Sequence, residues 1–480
     1  MTPTVRRAKN ILFITSDEMR GDVQGYSGNP DVQTPNLDAL AARGCVFARH
    51  FAPFPKCVPS RCSMHTGRYT HTDGLRSVMG PNHLPKGTPT LAGLLRERGY
   101  ETAVLGLNHV WEDPWFYGEG DQRNEKGVGI TDYQSFTKGR LADLAMQSRT
   151  YPEGTRASGP HIDALAQIDY KGLVAGESGR QFSDENRTDQ AICYLRELRD
   201  RSKPFFLQLN LSKPHPPYGI HEPWYSMYDR QEITAFPYAL PENAALPLRA
   251  MREHRLGFDV PEGSLRELQA VYYGMVSFID DLVGRVIRCL DDEGLAEDTL
   301  IVFTADHGDF AGQYGLNEKW DAALQDCLLH VPCIVAGPGI PAGHRVDGLS
   351  EHVDFPATLL DYLGMQAPQE WVWHGSRSSP APSAARPSSP TAATRRPCAT
   401  ASAARPSRRR TAGRSRPPAA SSSPMARSPT PCRGARWSAP RTGSWSSARR
   451  AAMNSSTCAL IATRCATSTA ARSTRGSSPT

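Results

Sequence analysis

Several features are scarce in this 480-residue chain, and the scarcity is uneven. No apolar run approaches the ~20 residues that a membrane-crossing helix requires, so a membrane span is not expected. No C-x-x-C pair occurs, and the seven cysteines before residue 376 (Cys45, Cys57, Cys62, Cys193, Cys289, Cys327 and Cys333) form no dense framework. A reduced, cytoplasmic protein is the expectation. There is no internal repeat. The deepest shortage lies in residues 376–480, which contain no Lys, Asp, Glu, Val, Phe, Tyr, His or Gln, and one Leu and one Ile.

That segment contains 19 Arg, so it carries +19, while residues 1–375 hold 36 Lys and Arg against 49 Asp and Glu, a net −13. The overall +6 is therefore the sum of two unlike parts. An acidic body argues against a nucleic-acid-binding surface there. Ser, Ala, Arg, Pro and Thr make up 90 of the last 105 residues. Such a composition cannot bury enough apolar surface to offset chain entropy, so disorder is expected. Nearly all of these residues have C or G as the middle codon base, the pattern of a GC-rich gene read out of frame. The expected division is a catalytic domain over 1–375 and a disordered, out-of-frame tail over 376–480. The other reading is a genuine basic tail that binds RNA or DNA.

The body alternates short β-branched runs with amphipathic stretches. Ile11–Thr15, Thr102–Gly106, Phe205–Asn210, Leu300–Thr304 and Cys333–Ala336 are predicted strands. Asn36–Arg43, Thr90–Arg98, Glu185–Leu198, Leu265–Leu290 and Val353–Leu363 are predicted helices. Gly44, Gly99, Gly294 and Gly364 follow four of them, where a left-handed cap favours glycine. The basic start, Met1 to Asn10, leads through a short apolar run into Asp17, which reads as a first strand and not a signal peptide. Strand–helix alternation predicts an α/β fold with a mostly parallel sheet covered on both faces. Residues 111–171 lack periodicity and are expected to loop over one end of that sheet.

Ligands in open α/β sheets bind beyond the carboxyl ends of the strands. Four predicted strands run into chemistry-bearing residues: Asp17 and Glu18; Asn108 and His109; Lys213 and His215; and Asp306, His307 and Asp309. One aspartate after a strand is usually a turn former or helix cap. Four clusters on one sheet edge carry more weight. Asp17, Glu18, Asp306 and His307 look like two halves of an oxygen-rich metal site with one nitrogen, which suits Ca²⁺ or Mg²⁺ better than zinc.

The strongest local pattern runs from Lys56 to Tyr69, as Lys56-Cys57-Val58-Pro59-Ser60-Arg61-Cys62-Ser63-Met64-His65-Thr66-Gly67-Arg68-Tyr69. It resembles the signature of the sulfatases, formylglycine-dependent members of the alkaline-phosphatase superfamily. Thr34-Pro35-Asn36-Leu37-Asp38, Lys213-Pro214-His215, Asp306-His307-Gly308 and Lys319 agree with that family in order and spacing. The resemblance covers roughly residues 8–375. It implies a large mixed, mostly parallel sheet with helices on both faces. It also implies hydrolysis of sulfate esters by a formylglycine derived from Cys57, installed by a formylglycine-generating enzyme. By the same resemblance, Asp17, Glu18, Asp306, His307 and Cys57 would hold Ca²⁺, or Mg²⁺ or Mn²⁺. Arg61 would steady the nucleophile, His109 would act as a base, and His215 and Lys319 would bind the ester oxygens and help the alcohol leave.

Alternatives stay open at this level. Cys45, Cys62 and Cys193 are expected to be small core residues, and His65 and His71 structural or surface groups. Asn82 and His83 are weaker pocket candidates. Trp111, Glu112, Asp113, Trp115 and Tyr117 either line the leaving-group side or pack as loop. Two departures from the family bear on function. Leu107 stands where many sulfatases have a lysine, a loss shared with phosphonate monoester hydrolases and phosphodiesterases, so a phosphonate monoester or phosphodiester substrate is an alternative. The family's small C-terminal sheet is expected to be lost, which makes an inactive remnant the third reading. Resequencing the gene should reveal an insertion or deletion near Gly375; a clean open frame without one contradicts the frameshift.

Overall fold

The computed structural model describes residues 7–75, 83–85, 87–107, 109–111, 165, 170–173, 183–255, 260–321, 323–368 and 371. The segment expected to be a disordered tail lies outside these residues, as do Glu112, Asp113, Trp115 and Tyr117. Nine strands are present among the described residues: β1 Asn10–Asp17, β2 Cys45–Phe51, β3 Glu101–Gly106, β4 Tyr170–Leu173, β5 Phe205–Pro214, β6 Tyr218–Ile220, β7 Thr299–Ala305, β8 Cys333–Ala336 and β9 His344–Glu351. The helices are α1 Pro35–Arg43, α2 Cys57–Thr66, α3 Thr70–Asp73, α4 Leu91–Glu97, α5 Ser183–Cys193, α6 Leu246–Arg255, α7 Glu262–Asp292, α8 Asp326–Leu329 and α9 Phe355–Tyr362.

Seven strands form one sheet in the order β3-β5-β1-β7-β8-β2-β9. β3, β5, β1 and β7 run parallel; β8 is antiparallel to both β7 and β2, and β9 returns parallel to β2. The sheet is thus mixed and mostly parallel, as expected. β1 is central and buried along its whole length, which suits its near-continuous apolar run. Its alternation sorts the two cores: Leu12 and Ile14 face a cluster containing α1 and α7 residues, and Ile11 and Phe13 face one containing α2, α4 and α9 residues. Helices therefore cover both faces. The 31-residue α7 also holds α1 in place: Asp280 accepts from the backbone N–H of Asn36 (3.1 Å) and Leu37 (2.7 Å), doing the capping that Thr34 does not.

β2 and β9 were not legible in the sequence. β9 is an edge strand whose residues are mostly exposed, so it lacks an apolar pattern. The predicted helix at 185–198 ends as an α-helix at Cys193 and continues as a π-helical turn over Tyr194–Leu198. Of the four glycines expected to be left-handed, Gly99, Gly294 and Gly364 have positive φ, but Gly44 is extended. Its requirement is close approach: a Cβ there would meet the Val335 carbonyl oxygen at 2.5 Å. No helix among the described residues is long and apolar enough to cross a membrane, and no disulfide joins any of the seven body cysteines.

Candidate active site

Strand register brings the site together. β1 and β7 pair in parallel with Ser16 opposite Ala305, so Asp17 and Asp306 leave the sheet side by side. On the other side, Asp17 pairs with Pro214, which puts His215 just beyond the same edge. β3 ends with Gly106 opposite Asn210, and Leu107 and His109 follow. Helix α2 starts at Cys57 and presents its N-terminal turn to this edge. The backbone after Asp306 and His307 runs tightly: a Cβ on Gly308 would fall 2.0 Å from the Cys327 carbonyl oxygen, so only glycine fits.

Arg61, one turn into α2, ties the parts together. Its Nε donates to Asp306 Oδ2 at 2.8 Å and its Nη2 to Asp17 Oδ2 at 3.1 Å. All three side chains are buried. Burial alone would raise the Asp17 pKa; His215, Arg61, Lys319 and His307 outweigh it and hold the carboxyl well below its ordinary range. Arg61 Nη1 has no hydrogen-bond partner among the described residues. A buried, unsatisfied guanidinium N–H is costly unless a ligand accepts from it.

Cys57 Sγ lies 3.2 Å from His307 Nε2 and 3.6 Å from Asp17 Oδ1. Burial, and then the carboxylates of Asp17 and Asp306, push its thiol well above the ordinary value. At neutral pH the residue is a protonated thiol and a poor nucleophile. The orientation of the His307 ring follows from its partners. Nδ1 lies 3.0 Å from the Gly308 carbonyl, which can only accept, so Nδ1 carries a proton and Nε2 is the atom that faces Cys57 and the two carboxylates. Asp17, Cys57, Asp306 and His307 each offer a ligand atom within 4.8 Å of the others. Two carboxylates and an imidazole that turns its Nε2 toward them are a donor set that fits a divalent cation.

Glu18 points to a second group. Its φ of 66° is unusual for a non-glycine residue. The turn is held by its N–H to Asp306 Oδ1 (3.1 Å) and by Tyr272, whose hydroxyl donates to the Glu18 carbonyl (2.6 Å). The Glu18 carboxylate meets the Lys319 ammonium and lies 3.2 Å from His215 Nε2. Lys319 Nζ is in turn 2.7 Å from His215 Nε2. Burial pushes the Lys319 ammonium down to about 8, against the opposing pull of Asp17. Glu18 is thus gathered with His215 and Asp17, not with the four-residue group. Tyr218 clamps the two loops that carry His215 and Lys319: its hydroxyl donates to Asp309 (2.7 Å to Oδ2) and accepts the Glu318 N–H (2.8 Å).

His109 lies near the same charged groups, within electrostatic reach of Arg61, Asp17, Asp306 and His215. Burial, then the nearby Arg61, lowers it to about 4, so it is a neutral base at physiological pH. Its Nδ1 has no hydrogen-bond partner among the described residues. His65 is buried edge-on against Trp111, with ring centroids 4.7 Å apart, so Trp111 packs in the core. His71 stacks on Tyr69. Asn82 lies outside the described residues, and His83 is half-buried.

Residues 9–365 match the sulfatase family model. The chain belongs to the sulfatase family. It is 29% identical over 395 residues to the multifunctional alkaline phosphatase superfamily protein PehA of Trinickia caryophylli, with 75% of each chain covered. It is 27% identical to the choline-sulfatase of Rhizobium meliloti, covering 76% of this chain and 69% of that protein. Among solved structures, the phosphonate monoester hydrolase of Agrobacterium radiobacter superposes with a TM-score of 0.59 at 25% identity, covering 76% of this chain and 79% of that one.

Family membership makes this a sulfuric-ester hydrolase of the alkaline-phosphatase superfamily, a group that typically uses a metal ion and formylglycine. For this sulfatase-family chain, replacing Arg61 removes the countercharge of two buried carboxylates. Arg61→Met in chelator should lose roughly 3 kcal/mol in urea unfolding. Asp17 is depressed from 3.8 in the folded state, so the stability it contributes is present above that value and lost as pH falls below it. The gap between wild type and variant should therefore narrow below about pH 4. A gap that is absent at pH 7, or that widens in acid, contradicts the charge-pairing role.

Proposed function

We propose that the chain hydrolyses sulfate esters through a formylglycine formed from Cys57 by a formylglycine-generating enzyme, with a divalent cation held by Asp17, Asp306, His307 and the residue-57 side chain and reached by Glu18 from the adjoining group it forms with Asp17 and His215. The convergence of Cys57, Asp17, Asp306 and His307 on one buried point, with Arg61 bridging two of them, carries this reading. The neutral thiol supports it as well, because an unmodified Cys57 would be a weak nucleophile. The hydrated aldehyde supplies an oxygen nucleophile and, by collapsing, a route to release the acid. The cation, Ca²⁺ or Mg²⁺ or Mn²⁺, supplies Lewis acidity and charge neutralisation.

The charge inventory supports a divalent ion. Asp17, Glu18 and Asp306 bring three negative charges, and Arg61 and Lys319 bring two positive ones. A singly charged ester anion would leave a deficit of two, which one divalent cation removes. Around the ester, Arg61 Nη1 is the open donor, and Lys319 and His215 share a hydrogen bond through which a proton can reach the departing alcohol oxygen. His109, neutral and close enough to feel the charges of Arg61, Asp17 and Asp306, serves as the base that removes a proton from residue 57.

A second reading, a phosphonate monoester or phosphodiester substrate, rests on Leu107, which puts no cation at the end of β3, and on the likeness to a phosphonate monoester hydrolase. We further propose that residues 1–375 are the catalytic unit and that 376–480 are a disordered, misread tail whose loss of native sequence leaves the chain destabilised or inactive. Comparing kcat/KM for an aryl sulfate with that for an aryl phosphonate monoester, after coexpression with a formylglycine-generating enzyme, separates the readings. The sulfate is expected to turn over faster, and Cys57→Ala to abolish both activities. Faster phosphonate turnover favours the second reading, retained activity in Cys57→Ala refutes the nucleophile, and no turnover of either supports the inactive remnant.

A further inference from the structure

Two buried histidines behind the site, His50 on β2 and His352 before α9, have no part in the chemistry above. They form a chain of hydrogen bonds: Ser350 Oγ to His50 Nδ1 at 2.9 Å, His50 Nε2 to His352 Nδ1 at 2.9 Å, and His352 Nε2 to the Asp306 carbonyl at 3.2 Å. Both rings are desolvated, at 2% and 0% exposure, and both pKa values are pushed down by burial, so both are neutral at physiological pH.

The protons in this chain can be placed. The Asp306 carbonyl only accepts, so His352 carries its proton on Nε2 and offers Nδ1 as an acceptor. His50 must then donate from Nε2, which leaves its Nδ1 to accept from the Ser350 hydroxyl. Every bond has one donor and one acceptor, and one tautomer of each ring satisfies all three. Phe355 stacks on His352 with an interplanar angle of 19° and contacts His50, so both rings are also held by packing.

The end point of the chain gives it a consequence. The Asp306 carbonyl belongs to the peptide group between Asp306 and His307. Its oxygen accepts from Ser60 Oγ at 2.5 Å as well as from His352, and its N–H, on His307, donates to Asp306 Oδ1 at 2.9 Å. That peptide plane is clamped at the oxygen by two donors and at the nitrogen by the carboxylate it orients. Rotation of the plane would turn the Asp306 carboxylate and the His307 ring together.

We propose that His352, oriented in turn by His50, is a positioning residue that sets the Asp306–His307 peptide plane and so the aim of both side chains at the cation. The proposal rests on the reading that Asp306 and His307 hold a divalent ion. Outer partners of this kind typically change metal affinity 10–100-fold when removed.

The test is Mn²⁺ titration of the full chain, followed by the electron paramagnetic resonance signal of the free ion, with near-ultraviolet circular dichroism to confirm folding. His352→Leu is expected to weaken Mn²⁺ binding about tenfold, and His352→Gln, whose amide can both donate to the carbonyl and accept from His50, to stay within about threefold of wild type. Where His352→Leu does not fold, His50→Leu carries the comparison against His50→Gln in the same sense. A folded leucine variant that binds as wild type does, or glutamine variants that lose as much as leucine, overturns the positioning role. Wild-type chain that binds no Mn²⁺ overturns the cation reading itself, and this proposal with it. In the unmutated chain, ¹⁵N-histidine spectra must show His50 and His352 both protonated at Nε2; a proton on Nδ1 of either breaks the chain as drawn.

Discussion

Asp17, Glu18 and Asp306 are carboxylates with no solvent exposure, gathered at one end of the central sheet, and the site depends on keeping them charged there. An isolated buried carboxylate costs several kcal/mol, so each must have a countercharge or dense hydrogen bonding. Arg61 spans Asp17 and Asp306, Lys319 meets Glu18, and two backbone N–H groups serve Asp306 Oδ1. These cations must themselves be anchored. Arg61 is anchored by α2, whose first residue is Cys57, so the charge pairing that stabilises the strand ends also fixes the position of Cys57. Burial lowers Lys319 to about 8, a position from which a lysine exchanges protons readily. The same constraint that makes the site expensive to fold leaves cationic donors and carboxylates packed side by side at the sheet edge.

Much of this was legible in the sequence, for local reasons. The strands that deliver the site are interior and apolar, so their runs stand out, and β1, β3, β5 and β7 lie where the alternation places them. The Cys57–Tyr69 stretch folds mainly as one contiguous helix, so its chemistry is readable without any long-range contact. What failed depends on partners distant in the chain. β2 and β9 exist because β2 pairs with β8 on one side and with β9 on the other, and β9 carries too few apolar residues to announce itself. Gly44 was expected to be left-handed, but the neighbouring β8 backbone requires it for space. His50 and His352 look like ordinary isolated histidines until the fold places them in line behind Asp306. Glu18 shows a finer limit: the sequence puts it beside Asp17, and only its left-handed backbone turns the carboxylate toward His215 and Lys319.

The composition of the chain also gains a physical reading. Residues 1–375 are acidic by 13 charges, yet the charge that serves the site is local and positive: Arg61 and Lys319 inside a shell of carboxylates. The family match ends at residue 365, close to where the composition changes.

The central claim is that Cys57 reacts after conversion to formylglycine, not as a thiol. Its most direct test is mass spectrometry of the tryptic peptide containing Cys57, from chain produced together with a formylglycine-generating enzyme. The expected result is a peptide in which residue 57 has lost its sulfur and reacts with aldehyde-specific reagents. A peptide that keeps an unmodified cysteine, in chain that nonetheless hydrolyses a sulfate or phosphonate ester at residue 57, would contradict it.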